Sequence, residues 1–454
     1  MEIFGSSGVR GVANEYLNPE FVCNIAQAAG SVWDADTVAL ARDTRTTGEM
    51  LGNAAASGLA SVGSDVHRLG VIPTPGLQAY CERVGVPGVM ITASHNPPQY
   101  NGVKLVGADG IELSRGTLER VEERLLAEDF DSVAWNGTGR EERIDDARDR
   151  YVEQLLAAVD RERIADADLT VALDPGHGAG SLTSPRIFRE LGCDVVTVNA
   201  QPDGHFPGRD PEPVAENLAN LGRLVRAADA DVGVAHDGDA DRAIFFDEHG
   251  EFIEGDGALA ALAAAELGPG DTAVSAVNVS QRLVDVADRA GAALSLTAIG
   301  STNIITRIRN LQADGESVPV AGEGNGGILF PDYRITRDGA YTAARFLELL
   351  AEQPASEVVA PYDDYQLLRT DVKYETDDER RRLLDAVEAV ARDADATLDT
   401  TDGYRLDYGD SWVLARPSGT EPVIRVYAES RDPARSADLV ERMHETMVAA
   451  RDED

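Results

Sequence analysis

In the stretch ITASHNPPQYNG, Ser94, His95 and Asn96 stand side by side between an apolar run and two prolines. A hydroxyl next to an imidazole invites comparison with acyl-transfer enzymes. Neighbours on an extended chain point to opposite sides, however, and neither a G-x-S-x-G elbow nor an Asp partner in the usual order accompanies them. Lys104 is better placed as a base, because a turn through Tyr100-Asn101-Gly102 can fold it back toward Ser94. Lys104 and Lys373 are the only lysines in the chain, and the need for a compact ammonium that can give up a proton is a reason to keep one here.

A second cluster lies in HDGDADR, where Asp237, Asp239 and Asp241 alternate after the apolar DVGVA. A short loop of this form aims three oxygen ligands at one hard cation, which suits Mg²⁺, above all where a phosphate supplies another ligand. An EF-hand is excluded, because Arg242 stands where its sharp turn needs Gly and the flanks read as strands. A solvated acidic turn is the plainer alternative.

Three further loops carry polar groups at suggestive positions. ARPSGTEP joins two predicted strands and sets Arg416, Ser418, Thr420 and the amides around Gly419 as a nest for phosphate, with Arg425 on the next strand as a second guanidinium. A polar hairpin turn accounts for the same residues equally well. AGEGNGGILF fits neither a P-loop nor a dinucleotide fingerprint. Its Glu323 and Asn325 can exchange hydrogen bonds with sugar hydroxyls, or the stretch can be a structural turn. Near the N-terminus, FGSSGVRG offers Ser6, Ser7 and Arg10.

The elements that must position these loops follow from hydrophobic periodicity. The stretches beginning TVALARDTR, LTVALDPGHG and DTAVSAVNVS each pass from a β-branched run through a loop and an amphipathic helix to a second strand, the pattern of a βαβ unit. The C-terminal part differs. A helical pattern around Leu383 to Ala391 precedes GYRLDYG, SWVLARPS and PVIRVYAES, which read as consecutive strands, and ARSADLVERMHETMVAA closes as a helix. The expected architecture is α/β: residues 1–147, 148–254 and 255–362 as three similar domains with mixed sheets covered by helices, and 363–454 as an α+β domain.

Charge limits the partners. The chain has 80 acidic and 41 basic residues, a net charge of −39, and such a field repels nucleic acid and anionic lipid. Acid is spread along the chain, in AEDFDS, DDARDR and ETDDER, which reads as adaptation to concentrated salt rather than as one acidic docking face. At 1 M salt, charges are screened over about 3 Å. A phosphorylated substrate therefore needs a local nest of positive charge. Cys23, Cys81 and Cys193 lack CxxC spacing and read as buried apolar residues in a reducing cytosol. The N-terminus has no apolar leader and GALAALAAAELG is too short to span a bilayer, so a soluble, cytoplasmic monomer or homodimer is expected.

Taken in chain order, FGSSGVRG, TASHNPPQYNGVK, DGDADR, GEGNGG and RPSGTEP resemble the α-D-phosphohexomutase superfamily over the whole chain, one or two motifs per domain. The resemblance implies four domains around a central cleft, with a mobile last domain. It implies that Ser94 carries a phosphoryl group at a strand end, held still by Pro97 and Pro98, and that Asp237, Asp239 and Asp241 bind Mg²⁺ with an oxygen of phosphorylated Ser94. His95 and Lys104 match residues of proton transfer, and Arg10 and Arg242 match groups that stabilise charge beside the phosphoserine. Arg416, Ser418, Gly419 and Thr420, supported by Arg425, match the grip on the substrate's distal phosphate. Glu323, with Asn325, matches the sugar-binding loop.

The implied enzyme is an isomerase. It interconverts hexose 1-phosphate and hexose 6-phosphate through hexose 1,6-bisphosphate, with glucosamine phosphate as first expectation and mannose or glucose phosphate as alternatives. A metal-dependent sugar phosphatase and a non-catalytic sugar-phosphate sensor are the rival classes. One loop departs from the commoner pattern: Asn325 and Gly327 stand where many members have Ser and His, a variant that archaeal-type members resemble more closely.

Overall fold

The computed structural model describes residues 3–5, 8–418 and 422–452. The chain forms two compact units, Met1–Ala258 with Asn325–Val358, and Leu259–Gly324 with Val359–Asp454.

The first unit opens with a six-stranded sheet ordered Val9–Val12, Tyr100–Val106, Gly88–Ile91, Thr37–Arg42, Asp65–Val71, Glu141–Arg143. The last four run parallel, and the first two are antiparallel additions at one edge. The run TVALAR shows why both faces are covered. Val38 and Leu40 join a core with the helices Pro19–Trp33 and Gly48–Ser61, while Ala39 and Ala41 join a second core with the helix Thr74–Val84. Burial on both faces is the usual state of a parallel sheet.

A second sheet repeats the plan. Thr170–Asp174 lies parallel to both Asp194–Thr197 and Val232–Ala235, and Ile244–Phe246 returns antiparallel to Val232–Ala235. The loop between these last two strands carries HDGDADR. This unit also holds the hairpin of Gly327–Phe330 with Arg334–Arg337 and the helix Gly339–Leu350.

In the second unit, Thr272–Ala276 lies parallel to Ala293–Thr297 and Ala321–Glu323. A five-stranded antiparallel sheet follows, ordered Gln366–Lys373, Val423–Ser430, Ser411–Pro417, Tyr404–Asp407, Thr397–Asp399. The helices Asp377–Asp393 and Pro433–Asp452 cover it through Leu383, Val387, Leu439 and Met443. The C-terminal sheet is bonded to elements of the preceding sheet within this unit. Fully buried Glu429 accepts hydrogen bonds from Ser280 Oγ at 2.7 Å, Gln281 N at 2.6 Å and Trp412 Nε1 at 2.9 Å, tying the helix Gln281–Ala290 to the sheet. Arg405 adds a bond to the carbonyl of Val277 at 2.6 Å. Among the described residues, no helix is long and apolar enough to cross a membrane.

Candidate active site

The strand Gly88–Ile91 ends before Ser94, and the serine occupies a left-handed turn at φ 52°. This corrects the reading of an extended Ser-His pair at a strand end. With the backbone turned, Ser94 Oγ and His95 Nδ1 lie 3.4 Å apart on the same side. The chain reversal also falls earlier than expected, at Pro97–Tyr100, where the Tyr100 amide donates to the Pro97 carbonyl at 3.0 Å; Tyr100, Asn101 and Gly102 already belong to the next strand.

The prolines alone do not hold this loop. The buried Arg45 guanidinium donates to the carbonyls of Ser94 (2.8 Å), Asn96 (2.6 Å), Pro97 (2.8 Å) and Tyr100 (2.9 Å). Thr92 Oγ1 accepts the Ser94 amide at 2.9 Å and donates to Asp43 at 2.6 Å.

Ser94 Oγ donates to Asp237 Oδ2 at 2.6 Å, so the hydroxyl touches the acidic loop directly. The carboxylates of Asp237, Asp239 and Asp241 are buried and have oxygens within 4.8 Å of one another. Their outer oxygens are occupied: Asp239 Oδ2 accepts from Thr74 Oγ1 at 2.6 Å and Lys104 Nζ at 2.7 Å, and Asp241 Oδ2 accepts from Arg337 Nη2 at 2.7 Å. The three Oδ1 atoms are buried without a hydrogen-bond partner. Buried anionic oxygens do not persist uncompensated. Three converging carboxylate oxygens fit a hard divalent cation of the Mg²⁺ class.

Four family descriptions match this chain in succession: phosphoglucomutase/phosphomannomutase alpha/beta/alpha domain I at residues 1–132, domain II at 149–250, domain III at 254–365, and the C-terminal domain at 372–446. The chain belongs to the phosphoglucomutase/phosphomannomutase family. A protein of Thermococcus kodakarensis named phosphoglucomutase/phosphomannomutase is 41% identical over 450 residues, 97% of each chain. A probable phosphoglucosamine mutase of Methanopyrus kandleri is 40% identical, covering 96% of this chain and 95% of its own. The crystal structure of a phosphoglucomutase/phosphomannomutase family protein from Burkholderia thailandensis matches with a TM-score of 0.86 at 28% identity, over 99% of this chain and 98% of that one. The α-D-phosphohexomutase resemblance and the four-domain α/β architecture therefore hold, and the protein is a phosphohexomutase, an enzyme of the isomerase class.

The electrostatics of this phosphohexomutase site depart from one expectation. Lys104 points at Asp239 and Asp241 rather than at Ser94, with Nζ 2.7 and 3.2 Å from their carboxylates. Burial opposes its charge, but the two aspartates outweigh burial and raise its pKa above the ordinary lysine value. Asp239 shows the mirror effect: burial raises it, and Lys104 and Thr74 more than reverse that. Burial, then the charges of Arg242 and Arg10, push the His95 imidazole down to about 2, so it is neutral in this state. Arg10 Nη1 donates to Asn96 Oδ1 at 2.8 Å, and Arg242 Nε stands 3.9 Å from Asp237 Oδ2. Arg10, Lys104, Arg242 and Arg337 are the local positive nest that so acidic a chain requires.

Arg45, Asp43, Thr74 and Arg337 escaped the sequence reading. The Asp-x-Arg that closes the strand in TVALARDTR was the available signal for the first two. Arg337 also answers the Gly327 departure, since a Cβ at Gly327 would come within 2.8 Å of Arg337 Cδ. The space of a side chain at that position is taken by an arginine that bonds Asp241.

The remaining predicted residues lie apart from this cluster in the sequence. Asn325, in the first unit, accepts from the Gly327 amide at 3.0 Å, and Glu323, in the second, is partly buried. Arg416 and Arg425 face each other across neighbouring antiparallel strands, with Arg416 Nε 3.1 Å from Asp402 Oδ2. Like charges directly opposite are unfavourable unless an anion joins them. The Ser418 amide donates to the Val423 carbonyl at 2.8 Å. Gly419 and Thr420, like Ser6 and Ser7, lie outside the described residues.

Proposed function

We propose that this phosphohexomutase interconverts hexose 1-phosphate and hexose 6-phosphate through phosphorylated Ser94 and a hexose 1,6-bisphosphate intermediate, with Mg²⁺ as cofactor. The bond from Ser94 Oγ to Asp237 at 2.6 Å carries the reading, because it sets a phosphoryl acceptor against three buried carboxylates. Asp237, Asp239 and Asp241 would hold the metal, with an oxygen of phosphorylated Ser94 as a further ligand. When bound, Mg²⁺ neutralises charge on the oxygens of the transferring group.

The chain's own residues do the rest. A sugar hydroxyl attacks the phosphorus of phosphoserine 94; the bond from phosphorus to the sugar oxygen forms as that to Ser94 Oγ breaks. The hydroxyl's proton passes to Ser94 Oγ by way of His95, with Lys104 and the neighbouring acids fixing the local charge. Arg10 and Arg242 stabilise the transferring oxygens. After the bisphosphate turns over, its other phosphoryl group returns to Ser94 by the reverse step. Arg416, Ser418, Gly419, Thr420 and Arg425 grip the distal phosphate in both orientations, and Glu323 and Asn325 bond the sugar hydroxyls.

Glucosamine phosphate is the proposed substrate, in line with the name of the Methanopyrus relative at 40% identity. The Thermococcus relative at 41% supports glucose or mannose phosphate as the second reading. Incubation with each hexose 1-phosphate, Mg²⁺ and a trace of its 1,6-bisphosphate, in molar KCl because the net charge reads as salt adaptation, tests both. The 6-phosphate product should appear, and intact mass should show one phosphate lost in Ser94→Ala. Free phosphate without 6-phosphate would instead identify a phosphatase, and an unaltered Ser94→Ala protein a sensor.

A further inference from the structure

The loops that meet at Ser94 and Asp237 are held from behind in the same way. The strand Thr37–Arg42 is followed by Asp43, whose Oδ1 accepts the Arg45 amide at 2.9 Å and whose Oδ2 accepts Arg45 Nε at 3.1 Å. In the second sheet the strand Thr170–Asp174 ends on Asp174. Its Oδ1 accepts the Gly176 amide at 2.8 Å and its Oδ2 accepts Arg209 Nε at 3.0 Å. Both guanidiniums then reach the loop that follows a parallel neighbouring strand. Arg45 Nη2 donates to the Ser94 carbonyl at 2.8 Å, and Arg209 Nη2 donates to the carbonyl of His236, the residue before Asp237, at 2.6 Å. The second unit keeps a reduced form, in which Ser275 Oγ donates to the carbonyl of Gly322, the residue before Glu323, at 2.6 Å.

The two loops need such support. Ser94 sits at φ 52° and Ala240 at φ 55°, a region that residues with a side chain avoid. A guanidinium offers five N–H donors in a rigid fork. In Arg45 Nε goes to Asp43, Nη1 to the carbonyls of Pro97 and Tyr100, and Nη2 to those of Ser94 and Asn96. An ammonium, with three donors on one atom, cannot reproduce that pattern. A buried ion pair contributes little net stability, so fixed geometry is the better account of its presence.

We propose that Arg45 and Arg209 are positioning residues for phosphoryl transfer, each clamping the backbone of one reacting loop so that Ser94 Oγ and the Asp237 carboxylate meet. This rests on the mutase reading of Ser94. The full chain carrying Arg45→Lys or Arg209→Lys, which keep charge and approximate volume, tests it. Turnover should fall about 100-fold, the loss expected of a displaced reacting group, with KM for the sugar phosphate unchanged and Tm close to that of the parent. Guanidinium ion should restore part of the turnover of Arg45→Ala.

Lysine variants with full turnover, or a loss in Arg45→Ala that follows loss of folded protein and ignores guanidinium, would overturn the clamp. A parent chain that never gains phosphate on Ser94 overturns the mutase reading instead. Those two failures are separate measurements, one on the variants and one on the parent.

Discussion

Ser94 and Asp237 are separated by 143 positions in the sequence, yet the serine hydroxyl donates to the aspartate at 2.6 Å. The serine loop and the acid loop come from different sheets, each loop following a strand that has a parallel partner. Their contact depends on how closely two backbones approach, and that is a question of glycine.

Gly238 is one place where the two loops approach closely. A Cβ there would lie 2.6 Å from the Ser94 carbonyl oxygen, which Arg45 also holds. Gly238→Ala should separate the loops, lowering kcat about 100-fold while leaving the circular dichroism spectrum and the Tm near those of the parent. A fully active variant would show that the close approach has no catalytic consequence.

Arg337 compensates Asp241 across a 2.7 Å bond, with both groups buried. Removing one partner of such a pair typically costs about 3 kcal/mol. Arg337→Met should therefore lower the Tm of the metal-free protein. A divalent cation would replace part of the lost charge, so added Mg²⁺ should raise the Tm of the variant more than that of the parent. Equal shifts would show that Arg337 and the metal do not share the same carboxylate.

Glu429→Ala should leave Trp412 Nε1, Ser280 Oγ and the Gln281 amide without their common acceptor. A destabilisation of about 3 kcal/mol is expected from several buried donors losing a charged partner. Denaturation followed by Trp412 fluorescence would register it. An unchanged midpoint would mean that water takes over these bonds.

The cysteines should be silent. Burial pushes the Cys193 thiol up to about 12 and raises both Cys81 and Cys23. A raised thiol pKa keeps the unreactive protonated form at pH 8. Iodoacetamide should leave the folded protein unmodified at that pH and add three adducts in denaturant, read by intact mass.

The sequence made the three βαβ units plain because their periodicity switches between 2 and 3.6, and Ser94 with the three aspartates stood out as compact local patterns. Arg45 and Thr74 did not, because each acts on residues far along the chain. The left-handed turn at Ser94 was hidden for a different reason, since no glycine marks it. The strand Gln366–Lys373 also passed unseen: it lies at a sheet edge with nearly every residue exposed, so no alternation of polar and apolar positions announces it.

Arg45 binds its loop entirely through carbonyl oxygens, which every amino acid possesses. The clamp is therefore indifferent to what the loop spells. The identity of residues 94–100 is set instead by what their side chains touch, as where Asn96 meets Arg10 and Ser94 meets Asp237.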